Sequence, residues 1–510
     1  MYFKHVLIKS RYFHRWLHHV YQLENDVVPQ DASWAAYHAT HPGTAKKVIP
    51  AVVALLPLFP DEAKSAAMIK HSMDMIHRTV QTVNPGQIPV IAVDQPLFAV
   101  AKQVQWQWPI SHGESKFVMM FGGLHLEMAF LKVLGKWIEG SGWVESLIQA
   151  GIASSGVADS FLKAVHVTRT RRAHQVTVCA LYTLLAEAYQ SYLESLSDSD
   201  NQIEMMEWVN EQKQKYPTFH YWMTVLNMQL LLMIFVRCQR EGNFLLYLET
   251  LIQMVPWFFA MDHQNYARWI SIHIKDMINI KTVNPDVYAK FLQGCFVVTK
   301  TSRRFSAIPL DQAHEQNNAL IKGDGGAIGL TENAAALRRW MVGGPEVSRV
   351  IEEFEAAVFE CQEVSSHYEE TPATQNAFTR DVSVLSDSIR KSGNPFQEET
   401  EDLLVLQSRD IIDPAITNSL FEVEAAGVHQ YDEFVQQRLT THTKPLYDPI
   451  KQNKFPRISS TVSKQTKPAQ IATLKQDCNL FAGLYISSQS KQGHLDRFYV
   501  HKNQPYPPAL

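Results

Sequence analysis

Short unrelieved apolar runs alternate with amphipathic stretches through the first third of the chain. In DEAKSAAMIKHSMDMIHRTVQTV, residues 61–83, the positions Ala66, Ile69, Met73, Ile76, Val80 and Val83 recur at helical spacing behind two acids suited to a first turn. An amphipathic helix is predicted there, and NPGQ at 84–87 ends it. IPVIAV at 88–93 is apolar throughout and rich in β-branched residues, the pattern of a strand buried on both faces. QPLFAVAKQVQW at 95–106 returns to helical spacing, KFVMMF at 116–121 predicts a second buried strand, and GGLHLEMAFLKVLGKWI at 122–138 a second helix. The order strand, helix, strand, helix implies parallel strands joined by right-handed crossovers. In such sheets chemistry gathers just past the carboxyl ends of the strands, where Asp94 and His125 stand.

From 142 to 294 the pattern becomes almost purely helical, with no repeat of fixed period. Two short strand-like pieces follow, GCFVVTK at 294–300 and RFSAI at 304–308, and then a helix carrying HEQNN with further helices near 331–341 and 345–364. The expected fold is an α/β core with a short, mostly parallel sheet, interrupted by a large all-α insertion and predominantly α overall. Five segments result: a helical start at 1–87, the first part of the core at 88–141, the insertion at 142–294, the return to the core at 295–365, and a tail at 366–510. The tail is rich in Ser, Thr, Gln, Asp and Lys, which predicts a polar, partly disordered region with short helices near 398–406 and 417–440.

Composition narrows the possible functions. A chain of 510 residues that is 46% apolar can bury a large core. Its net charge of −4 means that any nucleic-acid surface must be a local basic patch. Five separated cysteines, none in CxxC, fit a reducing intracellular setting, nuclear or cytoplasmic, and argue against a zinc finger or a disulfide framework. The greasiest run, VLNMQLLLMIFV at 225–236, falls short of the roughly 20 residues needed to cross a bilayer and is expected to be a core helix, with no membrane partner and no signal peptide.

Candidate chemistry concentrates in two places. Asp94 ends an apolar strand and must be solvated, paired, bound to a cation, or used as the N-cap of the next helix. Asp311 and Glu315, four residues apart in DQAHEQNNALIK, share a helical face with Asn318, and oxygen groups so placed suit Mg²⁺ as readily as they suit a solvated turn. His314 and His125 flank these acids. GDGGAIG at 323–329 lacks the GKS/T ending and the strand–turn–helix setting of a phosphate loop. No HExxH and no G-x-S-x-G occurs, so zinc catalysis and Ser/His/Asp catalysis have no support. Basic clusters at Arg169, Arg171 and Arg172, at Arg303 and Arg304, and at Arg338 and Arg339 could follow a phosphate backbone if they converge on the acids, or form ordinary ion pairs.

The motifs VDQPLFAVAKQVQW, FGGLHLEMA, HVTRTRRAHQVT, DHQNYARW and DQAHEQNNALIKGDGGAIGLTENAAALRRWM resemble a group of uncharacterised, transposable-element-derived animal proteins over most of the chain. The order of elements is more distantly similar to the RNase H-like core of hAT and P-element-type transposases, which a helical insertion interrupts before the last acid. The resemblance implies that Asp94 and Glu315 are catalytic carboxylates and metal ligands, with Asp311 as a further ligand and His125 and His314 as structural neighbours. A two-metal site needs three convergent carboxylates. The IDNDD-like segment that relatives carry on a leading strand is missing before Asp94, so the core is expected to be incomplete. The resulting expectation is a catalytically inactive derivative that binds nucleic acid or protein partners, with no certain cofactor. An active Mg²⁺-dependent DNA transposase or nuclease, or a helical interaction scaffold, are the alternatives.

Overall fold

The computed structural model describes residues 11–23, 31–41, 65–196, 202–301, 303–322 and 367–455, with a few isolated positions between them. Three helices lead in: α1 (Arg11–Leu23), α2 (Trp34–Thr40) and α3 (Ala66–Val83). Ser65 caps α3, its hydroxyl accepting from the Met68 amide at 3.2 Å, so the helix begins five residues later than the acids at 61 and 62 suggested.

The expected α/β unit follows. Strand β1 (Val90–Val93) runs into α4 (Gln95–Gln107), the one-turn α5 (Pro109–His112) leads to β2 (Val118–Phe121), and β2 runs into α6 (Gly123–Ile138). The strands pair in parallel, Val90 opposite Val118 and Val93 opposite Phe121. Strand β2 is buried along its length, as its unrelieved apolar sequence predicts, but β1 is only half-buried. Among the described residues these two strands make up the whole sheet.

Helices α7 (Trp143–Gln149), α8 (Ser155–Leu162), α9 (Val167–Ser195), α10 (Met205–Lys215), α11 (Pro217–Arg240), α12 (Phe244–Ala260), α13 (Gln264–Val283) and α14 (Pro285–Leu292) form the helical stretch. At 24 residues α11 is long enough, and one 18-residue window of it apolar enough, to cross a membrane, yet 78% of that window is buried inside the protein. Its neighbours α6, α9 and α12 cover it, which makes it the central core helix. The two strand-like pieces after α14 do not join the sheet. Val298 and Ile308 instead form a single antiparallel bridge with each other. Helix α15 (Leu310–Lys322) then packs against β1 and α6, bringing HEQNN back to the core.

The segment 367–455 is better ordered than its polar composition suggests. Pro372–Ser392 is a 21-residue helix that buries Phe378, Val382, Leu385 and Ile389 against α9, and Pro414–Phe434 is another that lies on α12. Gly427 makes the second contact possible, since a Cβ there would overlap the Pro256 carbonyl of α12. No helix forms at 398–406, where the chain is in turns and one short bridge. These segments order because a spaced apolar stripe can be buried however polar the remaining positions are. The helices expected at 331–341 and 345–364, and everything after Ile458, lie outside the described residues, apart from isolated helical positions between 350 and 357.

Candidate functional site

The carboxyl ends of β1 and β2 open onto the first turns of α4 and α6, and α15 packs against β1 and α6. Asp94 caps α4: its side chain accepts from the Leu97 amide at 3.1 Å, with Pro96 in the first turn where a missing N–H does no harm. The N-cap of α6 is Gly122, which has no side chain with which to cap. Asp311 supplies the cap, reaching Leu124 from 187 residues further along the chain. Its Oδ1 accepts from the Leu124 amide at 3.1 Å and from its neighbour Gln312 at 3.0 Å. Its Oδ2 accepts from the His125 amide at 3.0 Å and from His125 Nδ1 at 2.9 Å.

A carboxylate offers about four acceptor positions, and all four of Asp311's are engaged by these donors. The negative charge also sits at the positive end of the α6 dipole. Asp311 is 7% exposed, and close packing explains both glycines opposite it. A Cβ on Gly122 would collide with Asp311 Oδ2, and one on Gly123 would come within 2.6 Å of Gln239 Oε1 and 2.7 Å of Pro309 Cβ.

Because the Asp311 carboxylate can only accept, the shared proton lies on His125 Nδ1. The imidazole is about one third exposed. Its pKa is raised, chiefly by the Asp311 hydrogen bond, against a downward pull from burial and with added help from the charges of Asp311, Asp94 and Glu315. One imidazole therefore senses all three acids named from the sequence. Tyr266 on α13 faces the same charges, its hydroxyl pushed up by burial and then by Asp94 and Asp311. Nothing in the spacing of DHQNYARW singles it out, since its position follows from the packing of Phe121 and Phe258 against its ring.

Glu315 and His314 lie on the exposed side of α15. Asp94, Asp311 and Glu315 thus share one neighbourhood, but among the described residues no three His, Cys, Asp or Glu side chains stand together as a metal cage. Asp311, expected as a ligand, is a helix cap, and its engaged oxygens explain the difference.

The basic clusters also divide. Arg171 is 8% exposed and forms a two-pronged ion pair with Glu127 of α6, Nε to Oε1 and Nη2 to Oε2, both at 2.7 Å. Arg172 pairs with Asp381 at 2.9 Å and lies over the Phe378 ring. Each ties α9 to a neighbouring helix, Arg171 from a buried position and Arg172 from a partly exposed one. Arg169 and Arg304 are exposed, Arg303 is half-buried and engaged, and Arg338 and Arg339 lie outside the described residues, as does the GDGGAIG segment.

A predominantly helical protein with a two-stranded parallel sheet, whose α6 is capped from a helix that returns after a long insertion, is the class these observations define. The chain belongs to the family described as Domain of unknown function (DUF8702), whose model matches residues 33–501. No curated protein and no solved structure matches it.

Proposed function

We propose that the chain is a transposon-derived protein built on a degenerate RNase H-like core, which does not cut DNA and works by binding partners. The observation that carries this is the state of Asp311. In a two-metal nuclease its carboxylate would bridge or flank the ions, whereas here four donors hold it as the cap of α6. The parallel strands, the acid after β1 and the acid-bearing helix that returns after the insertion support the ancestry. The ion pairs of Arg171 and Arg172 leave less basic surface than the sequence suggests, which favours a protein partner over nucleic acid. Exposed Trp106, Trp108 and Ile110, the last 90% exposed, supply apolar surface of the kind protein partners cover.

A Mg²⁺-dependent nuclease is the second reading, favoured by the charges of Asp94 and Glu315 acting together on His125. Incubating the purified full chain with supercoiled plasmid and hairpin DNA in Mg²⁺ or Mn²⁺ distinguishes the two. No cleavage above that of Asp94→Asn is expected. Cleavage that disappears in Asp94→Asn and in Glu315→Gln would replace the binding role with an enzymatic one.

A further inference from the structure

The Pro414–Phe434 helix ends in a π-helical turn at Val435–Thr440, and the chain then runs back along α13 as a strap without regular structure. The Asp448 carbonyl lies against Arg268, the Ile450 carbonyl against Gln264, and the Asn453 amide against Asp262. His442 and Lys454 bracket the strap, two non-glycine residues in the left-handed region with φ of 53° and 52°. Such backbone persists only where its surroundings hold it. Within the strap a turn spans Pro445 to Asp448, the Asp448 amide donating to the Pro445 carbonyl at 3.3 Å.

The grip on this turn falls mainly on its backbone. Arg438 donates to the carbonyls of Leu446 at 3.1 Å, Asp448 at 2.6 Å and Pro449 at 3.1 Å, Arg268 to that of Asp448 at 2.9 Å, and Gln264 to that of Ile450 at 2.7 Å. Two side chains of the turn are also met. The Tyr447 hydroxyl accepts from Gln103 of α4 at 2.7 Å and its ring stands edge-on to Trp269 at 5.9 Å. Arg268 is pulled down by burial and then by the neighbouring Arg438 charge, and Tyr447 and Asp448 work against both, so the turn brings negative charge to a pair of guanidiniums. Arg268 Nε is buried and donates to nothing among the described residues, which leaves the face a donor to spare. From Thr441 to Pro449 every residue is exposed or half-buried, so apolar burial holds the turn weakly and water competes for its bonds.

We infer that the face made by Gln103, Gln264, Arg268 and Arg438 is a docking site for a partner protein, entered by an acidic, tyrosine-bearing turn of the form Pro-x-Tyr-Asp-Pro, and that Pro445–Pro449 of this chain fills it until the partner displaces it. Donors that read carbonyls select the shape of the turn, and a leading proline presets that shape. Gln103 and the two guanidiniums add a preference for an aromatic hydroxyl followed by an acid. The resident turn leaves Trp106, stacked on Trp269 at 6.2 Å, 42% exposed. A partner that continues past its turn covers that ring, which the strap does not. This deepens the partner-binding reading and rests on it, but the two fail separately, since plasmid cleavage tests that reading and peptide binding tests this one.

The probe is a labelled peptide with the sequence of residues 443–451, TKPLYDPIK, added to the full chain and to the full chain carrying Tyr447→Ala with Asp448→Ala, changes that weaken the resident turn and leave the face intact. Fluorescence anisotropy should show the variant binding the peptide at least about tenfold more tightly than the parent, where the tethered turn competes. Adding Arg268→Gln or Gln103→Ala to the variant should remove that gain. In the unaltered chain, peptide at millimolar concentration should speed hydrogen exchange of the amides at 446–448 and 450 and leave those of α13 unchanged, a result that decides the matter if the variant fails to fold. No peptide binding by the variant, equal affinity for both chains, binding untouched by Arg268→Gln and Gln103→Ala, unchanged exchange in the strap, or dimers of the variant in place of peptide binding would each overturn the proposal.

Discussion

Asp311 holds His125 twice, accepting from its backbone amide at 3.0 Å and from its ring Nδ1 at 2.9 Å. Through that grip a helix beginning at residue 310 closes the amino end of one beginning at residue 123, so a contact between residues 186 apart ties the insertion's return to the core. The pair is a structural latch first, and any chemistry at the site must work around it.

Removing the latch should loosen α6. Asp311→Ala strips four donors of their acceptor at a buried position and is expected to lower unfolding stability by about 2–4 kcal/mol, above an ordinary surface cap. Chemical denaturation of the full chain checks this. A loss below about 0.5 kcal/mol, the size of an incidental surface change, would show that Asp311 does not cap the helix.

Gly122 is predicted to be intolerant of even a methyl group, because its Cβ would run into Asp311 Oδ2. Gly122→Ala should cost about 1–3 kcal/mol, and should cost clearly less in an Asp311→Ala background, where the obstruction is gone. A double-mutant cycle measures that coupling, and full additivity would mean that the two residues do not meet.

The His125 imidazole should titrate above the usual histidine range, an effect led by its hydrogen bond to Asp311. A raised folded-state pKa means that the associated stability is complete below the unfolded value of about 6.5. It is lost as pH rises through the folded value. Proton–nitrogen NMR should place the proton retained at high pH on Nδ1, and Asp311→Asn should bring the titration downward. A His125 titration unchanged in that variant would contradict the pairing.

Asp276 gives a second pH signature with the same sign. Burial, opposed by Lys102, pushes its carboxyl up to about 6. Its contribution is complete below the unfolded value of about 3.9 and is lost as pH rises towards 6, so stability should fall across that window. Glu114, held low chiefly by Lys102 against burial, acts in the opposite sense. Comparing Asp276→Asn with the parent chain at pH 4 and pH 6 isolates the first effect, and identical pH slopes would refute it.

Local features of the core were legible in the sequence. Two short β-branched runs, each followed by helical spacing, are strands feeding helices, and their parallel pairing follows from the order. Asp94 was readable as a cap because a favoured capping residue directly precedes a helical pattern with proline in its first turn. The cap of α6 was not readable, because Gly122 carries no side chain and its substitute lies 189 positions away. The helix at Pro372–Ser392 did have a signal, with Phe378, Val382, Leu385 and Ile389 at spacings of four, three and four, but the polar residues between them outweighed it in a reading by composition. Arg171 and Arg172 show the same limit: a basic run looks alike whether its partners are phosphates or the carboxylates of helices brought near by the fold.

The central claim is that Asp311 serves the fold and that Asp94, His125 and Glu315 do not form a metal centre around it. Titrating Mn²⁺ into protein labelled at histidine and at backbone amides tests this directly, since a bound paramagnetic ion broadens its neighbours. The expected outcome is no saturable broadening at His125, Asp94 or Glu315. Saturable broadening centred on His125 and removed by Asp94→Asn would establish a metal site and contradict the account.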